Sequence, residues 1–238
     1  MARKPPLVDL EDSKSRGATR ASAVYERLRS DITHGVLEPG FKLRIESVCE
    51  RYAVGASPLR EAMNRLSSEG LITRTDQRGF SVAPLNWSEL AVLTRNRVQL
   101  ESLALSESID NRDQAWENRL ALLVHQLSRT PRSLESDHYV PNPEWETLHR
   151  EFHRALLANC DSRWLKGFCD NLTDEAYRFR QLAAVKVFSS RNEHAEHMAI
   201  FDAAIHGRVD LALRLLAEHY TRTSSVIATR ARELGRAA

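Results

Sequence analysis

The spacing of apolar residues predicts an amphipathic helix over residues 58–69. Apolar side chains recur there at intervals of three and four, so one face of the helix is expected to pack inward. That face carries Leu59, Ala62, Met63 and Leu66. Ser57 is the predicted N-cap, Pro58 the first helical residue, and Gly70 ends the helix. Arg60 lies off the apolar face and is expected to point outward.

A β-hairpin is predicted directly after this helix. Residues 71–73 and 80–82 alternate apolar and polar side chains around a loop at 76–79. Two earlier helices are predicted over 21–35 and 45–52, and a short turn joins the second of them to the third. Helices in this order, followed by a basic hairpin, indicate a winged helix-turn-helix whose third helix enters the major groove of DNA.

The rest of the chain shows helical periodicity and no strand pattern. Breaks at polar residues, prolines and a glycine separate predicted helices at 87–109, 113–129, 143–159, 162–184, 190–206 and 208–233. We therefore predict a mainly α protein with a flexible tail (1–19), a winged helix-turn-helix DNA-binding domain (20–84) and an all-α helical bundle (85–238). A bundle with inward polar groups is a natural site for a small ligand, and this one is expected to bind an effector and to dimerise.

Composition narrows the class of protein but does not prove DNA binding. The net charge is only +2, with 14 Lys/Arg against 11 Asp/Glu before Leu85 and 20 against 21 from there on. The three cysteines have no zinc-finger spacing and suggest no disulfide framework, which favours a reducing compartment. No apolar run reaches the roughly 20 residues that span a bilayer, and the N-terminus has no apolar signal segment. A cytoplasmic protein without a membrane segment is expected.

The first third of the chain resembles the N-terminal domain of the GntR family of bacterial transcription regulators in the motifs VYERLRSDITHGVLEPGFKL, SPLREAMNRLSSEGLI and RGFSVAPL. The remainder is similar to the FCD effector domain of the FadR subgroup in LTRNRVQLESLAL, LHREFHRALLANCDSRWL and AEHMAIFDAAIHGRVDLALRLLAEHY. The resemblance implies a homodimer that binds double-stranded DNA at a palindromic operator and responds to a small effector. It implies no enzymatic activity.

Five residues are the candidates for DNA contact. Arg60 and the wing pair Arg78 and Gly79 match the family pattern, and Arg60 can reach a guanine edge or a phosphate. Ser57 and Arg44, with the helix N-terminus, can bind phosphates, and Gly79 lets the wing backbone approach DNA closely.

Two alternatives bear on this DNA-binding surface. Arg60 could instead form a surface salt bridge with Glu61 or Glu50. The chain also departs from the family, which usually has Ser or Thr and then Arg where Gly55 and Ala56 stand here. That arginine commonly contacts a base, so the departure bears on the operator sequence and not on the fold.

Four histidines form the candidate metal site. His149 and His153 are four residues apart, which places both imidazoles on one helix face, and His197 and His219 lie on two later predicted helices. By this resemblance, His153, His197 and His219 correspond to the three histidines of metal-binding FCD domains, and His149 stands where those domains usually have an Asp. Imidazoles favour a divalent transition metal, here zinc or alternatively nickel, over Mg²⁺ or Ca²⁺. The alternative is a metal-free polar pocket that hydrogen-bonds an effector.

Arg97 matches an arginine that commonly faces the FCD ligand pocket. Together with a metal it would clamp a small carboxylate effector, because guanidinium binds carboxylate through two parallel hydrogen bonds. Tyr177 and Arg180 are the other candidate effector-binding residues. The alternative for Arg97 is a surface salt bridge with Glu101, four residues on.

Two other functions are alternatives to a ligand-responsive regulator. Four histidines with an open coordination position could activate water in a metalloenzyme. However, Glu151 lies on a different helix face, no other general base is evident, and the N-terminal third would have no role. In a metal sensor the ion itself would be the effector, and DNA affinity would depend on metal without any organic ligand.

Overall fold

The computed structural model describes residues 20–75, 79–137, 140–183 and 192–233. The chain divides into two compact units, one that extends to Ala83 and one that begins at Pro84 and also includes Thr33–Val36. The predicted fold class, a mainly α protein with an N-terminal winged helix-turn-helix and a C-terminal helical bundle, is confirmed.

The N-terminal unit has three helices and a three-stranded antiparallel sheet in the order β1-β3-β2. Its elements are α1 (Arg20–Thr33), β1 (Lys42–Leu43), α2 (Ile45–Tyr52), α3 (Ala56–Ser68), β2 (Ile72–Thr75) and β3 (Gly79–Val82). All four residues of the predicted inward face of α3 are fully buried, together with Leu28 of α1 and Ile72 of β2. The amphipathic pattern of the sequence therefore accounts for the packing of the third helix.

Two details of this unit differ from the prediction. The predicted N-cap at Ser57 is wrong: α3 begins at Ala56 and Gly55 occupies the cap position, with no side-chain cap hydrogen bond. Pro58 is tolerated as the third helical residue because N–H groups in the first turn have no partner within a helix. Strand β1 was not predicted, since two residues are too few to show alternation.

The C-terminal unit contains the six predicted helices, with the first preceded by a 3-10 turn at Trp87–Glu89. They are α4 (Leu90–Asp110), α5 (Gln114–Arg129), α6 (Pro143–Leu156), α7 (Arg163–Ala183), α8 (Glu193–Ile205) and α9 (Val209–Glu233). Asp113, Asn142 and Asn192 cap α5, α6 and α8 by accepting a hydrogen bond from a first-turn N–H.

The core of the bundle holds α6 and α8 in place. Phe152, Leu156 and Ile200 are fully buried in it, and the indole Nε1 of Trp116 on α5 donates to the Ala155 carbonyl of α6 at 2.7 Å. Helix α4 packs against α7 and α9, and α8 packs against α9. Polar residues of α4, α6, α8 and α9 consequently meet inside the bundle.

Candidate functional site

The four candidate histidines lie together in the C-terminal unit. His149 and His153 are one turn apart on α6, whereas His197 comes from α8 and His219 from α9. One ligand atom from each lies within 4.8 Å of the others. His149 is partly buried and the remaining three are buried. The cluster that was predicted from the sequence is thus assembled by three helices.

Two of these imidazoles have a hydrogen-bond partner at Nδ1. His219 Nδ1 lies 2.8 Å from Glu196 Oε2, and His153 Nδ1 lies 3.1 Å from the Tyr220 hydroxyl. The Nε2 atom of His153 is buried and has no hydrogen-bond partner among the described residues. Such outer contacts fix the tautomer and orientation of metal-binding histidines, so these two rings suit metal coordination through Nε2.

His149 is arranged differently. Its Nδ1 lies 3.3 Å from a guanidinium nitrogen of Arg180. Since arginine only donates hydrogen bonds, Nδ1 must accept, which places the ring proton on Nε2. The ring also stacks on Trp145, with centroids 4.6 Å apart. His149 can therefore bind a metal only after Arg180 releases Nδ1 or the ring reorients.

Burial keeps the α6 histidines uncharged. It lowers the pKa of His149 and of His153 well below 6.5. The nearby Arg180 lowers the pKa of His149 further, and the His219 ring lowers that of His153. Neutral imidazole is the form that binds metals, so neither ring has to lose a proton from an imidazolium first, although His149 still has to be released by Arg180.

A cavity of about 70 Å³ adjoins the histidine cluster, and we refer to it as the effector cavity. His149, His153 and His219 form part of its wall. All three candidate effector-binding residues, Arg97, Tyr177 and Arg180, line it as well. The structure thus brings the candidate metal ligands and the candidate effector contacts to one place.

Arg97 pairs with Glu101, as in the alternative that the sequence left open, and it also lines the effector cavity. Its Nε donates to Glu101 Oε1 at 2.7 Å, but this ion pair is inside the bundle, with side chains only 13% and 1% exposed. The guanidinium also donates to Thr173 Oγ1 at 3.3 Å and lies 4.0 Å from the centre of the Tyr220 ring. Arg97 therefore reaches the effector cavity while its charge is already balanced by Glu101.

Arg180 is also held by a buried carboxylate. It forms a short ion pair with Glu146, one turn before His149 on α6. Its guanidinium lies 5.0 Å from the centre of the Tyr177 ring and 5.6 Å from that of Trp145. Glu146, Glu196 and Tyr220 also belong to the site but were not predicted from the sequence. Only the three-residue spacing from Glu146 to His149 could have suggested any of them.

The candidate DNA contacts lie on the N-terminal unit. Arg44, Arg60 and Gly79 line one concave surface together with Lys42. Arg60 is exposed and has no ion-pair partner among residues 20–75 and 79–83, so the alternative salt bridge to Glu61 or Glu50 is not formed. Gly79 has φ +86, a conformation that favours glycine.

The remaining two candidates for DNA contact are placed differently. Ser57 is exposed in the first turn of α3 and is not among the residues that line this concave surface. Arg78 lies outside the described residues. Within the part of the chain that the structure describes, no helix has the length and apolar character needed to cross a membrane.

Comparison with known proteins identifies both units. The sequence profile of "Bacterial regulatory proteins, gntR family" matches residues 20–82, and that of the FCD domain matches residues 93–222. The chain is 35% identical over 205 residues to an uncharacterized HTH-type transcriptional regulator, BphR of Paraburkholderia xenovorans (strain LB400), covering 86% of this chain and 84% of that protein.

A second relative and a solved structure agree with this assignment. The HTH-type transcriptional repressor GlaR of Escherichia coli (strain K12) is 30% identical over 199 residues, covering 82% of this chain and 90% of GlaR. The structure of E. coli McbR/YncC matches with a TM-score of 0.76 at 18% identity, over 90% of this chain and 99% of that one, which shows a shared fold. These relatives belong to a non-enzymatic family, which removes the metalloenzyme alternative. The chain belongs to the GntR family of bacterial transcription regulators and carries the FCD effector-binding domain typical of the FadR-like subgroup.

Proposed function

We propose that this regulator binds a palindromic operator as a homodimer and that a small carboxylate, bound beside a divalent transition metal in the bundle, changes its affinity for DNA. The observation that carries the proposal is the histidine cluster against a cavity that Arg97 and Arg180 also line. An effector can shift the regulator between two dimer geometries only if it binds one of them more tightly. We assign DNA binding to residues 20–84, and effector binding and dimerisation to 85–238.

The DNA-binding part of the proposal rests on the exposed Arg60 beside Arg44 and Gly79. We expect Arg60→Ala to weaken binding by about 1–3 kcal/mol, the usual cost of removing a base-reading arginine. The measurement is fluorescence anisotropy with full-length protein and an operator recovered by selection from random DNA. Arg51→Ala is the control, since Arg51 is paired with Asp31 at 3.4 Å and lies outside the concave surface. Equal affinities for Arg60→Ala and the parent protein would remove Arg60 from the interface.

The metal part of the proposal rests on the donor set. Three histidines would hold the ion: His153, His197 and His219. His149 would join them once Arg180 no longer donates to the Nδ1 atom of His149. Imidazole donors suit Zn²⁺ or Ni²⁺. When bound, the ion would supply a Lewis-acid position for an effector carboxylate. Arg97 and Arg180 would orient that carboxylate from the cavity wall.

Elemental analysis of tag-free protein tests this site. We expect about one zinc or nickel per chain after exposure to each ion in turn, and loss of that metal in His153→Ala. His125→Ala is the control, because His125 is exposed on α5 and lies outside the cluster. Full metal content in His153→Ala would show that the ion binds elsewhere. Metal-dependent DNA affinity that no carboxylate alters would favour the metal-sensor alternative.

Three further aspects of the proposal concern assembly and regulation. A palindromic operator requires a two-fold symmetric protein, and α4 and α7, which pack side by side, expose Leu103, Trp164 and Phe168. We place the dimer contact on these two helices, and light scattering of the full-length chain measures the oligomeric state. Because GlaR is named a repressor, we propose repression that the effector relieves, in the cytoplasm where operator DNA resides.

A further inference from the structure

A second cleft, separate from the effector cavity, opens between α4, α5, α6 and α7. It has a volume of about 440 Å³ and shares His153 and Thr173 with the effector cavity. The Arg97–Glu101 ion pair connects the two, since Arg97 lines the effector cavity and Glu101 lines the cleft. The cleft is therefore next to the proposed metal site but has its own walls.

Three cations and three carboxylates line this cleft, and three of these six charges are already neutralised. Arg154 binds Asp170 through two contacts, Nε to Oδ1 at 3.0 Å and a terminal nitrogen to Oδ2 at 3.2 Å. Glu101 is neutralised by Arg97, at 2.7 Å. These carboxylates are thus unavailable to attract or repel a further ion strongly.

Two cations and one carboxylate remain without an ion pair in the described part of the chain. Arg119 on α5 is exposed and makes no hydrogen bond to another described residue. Lys166 on α7 donates to the Ala158 carbonyl at 3.3 Å and acts electrostatically on Glu107 of α4, a described residue that does not line the cleft and forms no ion pair with Lys166. Glu151 on α6 is exposed and unpaired as well. The unpaired groups of the cleft therefore carry a net positive charge.

We propose that this cleft binds a small polyvalent anion, held by Arg119 and Lys166 and opposed by Glu151. Phosphate and short dicarboxylates share the required chemistry, because each offers several acceptor oxygens and more than one negative charge. The Thr173 hydroxyl, in the shared wall, donates to Glu101 Oε1 at 3.4 Å and accepts from Arg97, so the anion is left to Arg119 and Lys166. This site goes beyond the proposed function and requires neither metal nor DNA.

Isothermal titration calorimetry of the full-length protein tests the proposal, with inorganic phosphate and succinate as probes at fixed ionic strength. We expect Arg119→Gln and Lys166→Gln each to weaken binding about two- to fivefold, the usual range for an exposed charge contact. Glu151→Gln is expected to strengthen binding, which damage to the fold would not do. Arg129→Gln is the control, since Arg129 is exposed on the same helix as Arg119 and lines neither cavity.

Three outcomes would overturn this site. The first is that neither probe binds to the parent protein. The second is that Arg119→Gln binds both probes as tightly as the parent does. The third is that binding is lost in Arg180→Gln and kept in Arg119→Gln, which would place the anion in the effector cavity. Running the titration on metal-stripped protein without DNA separates this result from the proposed regulatory function. Failure here would leave the DNA and metal measurements unaffected.

Discussion

Replacing Glu101 by Gln removes one charge from the most buried ion pair beside the effector cavity. Glu101 is 1% exposed and accepts from Arg97 Nε at 2.7 Å and from the Tyr220 hydroxyl at 2.5 Å. Breaking a buried ion pair by removing one partner costs about 3–5 kcal/mol, because the other charge is left uncompensated. We expect the lower end, about 3 kcal/mol, since glutamine keeps one oxygen that can accept a hydrogen bond.

Tryptophan fluorescence can measure the stability of the bundle by itself. Trp87, Trp116, Trp145 and Trp164 are the four tryptophans of the chain, and all belong to the C-terminal unit. Their fluorescence in a urea titration therefore reports unfolding of the bundle without a contribution from the N-terminal unit. With a slope of about 1–3 kcal/mol per M urea, a loss of about 3 kcal/mol lowers the midpoint by about 1–3 M.

Two further variants test the explanation. Glu151→Gln makes the same chemical change at an exposed position of α6, and its stability should stay within about 0.5 kcal/mol of the parent. Combining Arg97→Met with Glu101→Gln removes the uncompensated charge, so the double variant should be more stable than Glu101→Gln alone. The reasoning is refuted if Glu101→Gln and Glu151→Gln unfold at the same urea concentration.

Two more predictions concern the metal and DNA sites. Glu196→Gln removes the carboxylate beside His219 Nδ1 and should weaken metal affinity about 10- to 100-fold in competition with a chromophoric chelator. Glu196 and Glu218 both accept from Arg222, so Glu218→Gln loses a comparable contact but none to His219, and it should leave metal affinity unchanged. Equal effects of the two variants would contradict this role of Glu196. Ala56→Arg restores the basic residue of the family pattern and adds one cation that can contact a phosphate. The slope of log DNA affinity against log salt concentration should therefore steepen by about 1. An unchanged slope would show that residue 56 does not contact the phosphates.

The helices and the histidine cluster could be predicted because their signals are local. An imidazole pair four residues apart on α6 fixes a shared face, and the two later histidines follow from resemblance to the FCD domain. The start of α3 could not be placed, since Gly55-Ala56 and Ser57-Pro58 are both acceptable helix beginnings.

The residues that hydrogen-bond to the candidate metal ligands could not be predicted from the sequence, for a different reason. Glu196 reaches His219 from α8, and Tyr220 on α9 joins Glu101 on α4 to His153 on α6. Each of these contacts links residues that are far apart in the chain, and acidic residues at such positions are usually exposed. Only the packing of the bundle turns them into partners of the candidate ligands.

The balance of charge around the effector cavity bears on why a metal is needed there. Among the described residues, every charged side chain in its wall is already paired: Arg97 with Glu101, Arg180 with Glu146, Arg150 with Asp174, and Glu193 with Arg132. His149 and His153 add no compensating charge, because burial lowers the pKa of each well below 6.5. A carboxylate that enters the cavity of the metal-free protein therefore meets, among the described residues, hydrogen-bond donors whose positive charges are already paired.

A divalent ion would change that balance more in this chain than in one with the usual Asp. With His149 in that position, four neutral imidazole ligands would cancel neither positive charge of the ion directly, whereas an Asp ligand would cancel one of them. Attraction for an anionic effector should then depend mainly on the ion, while the paired arginines determine how the carboxylate is oriented. Affinity for the effector and occupancy by the metal would be linked for this reason, and removing the metal should cost the protein its response to the effector rather than its fold.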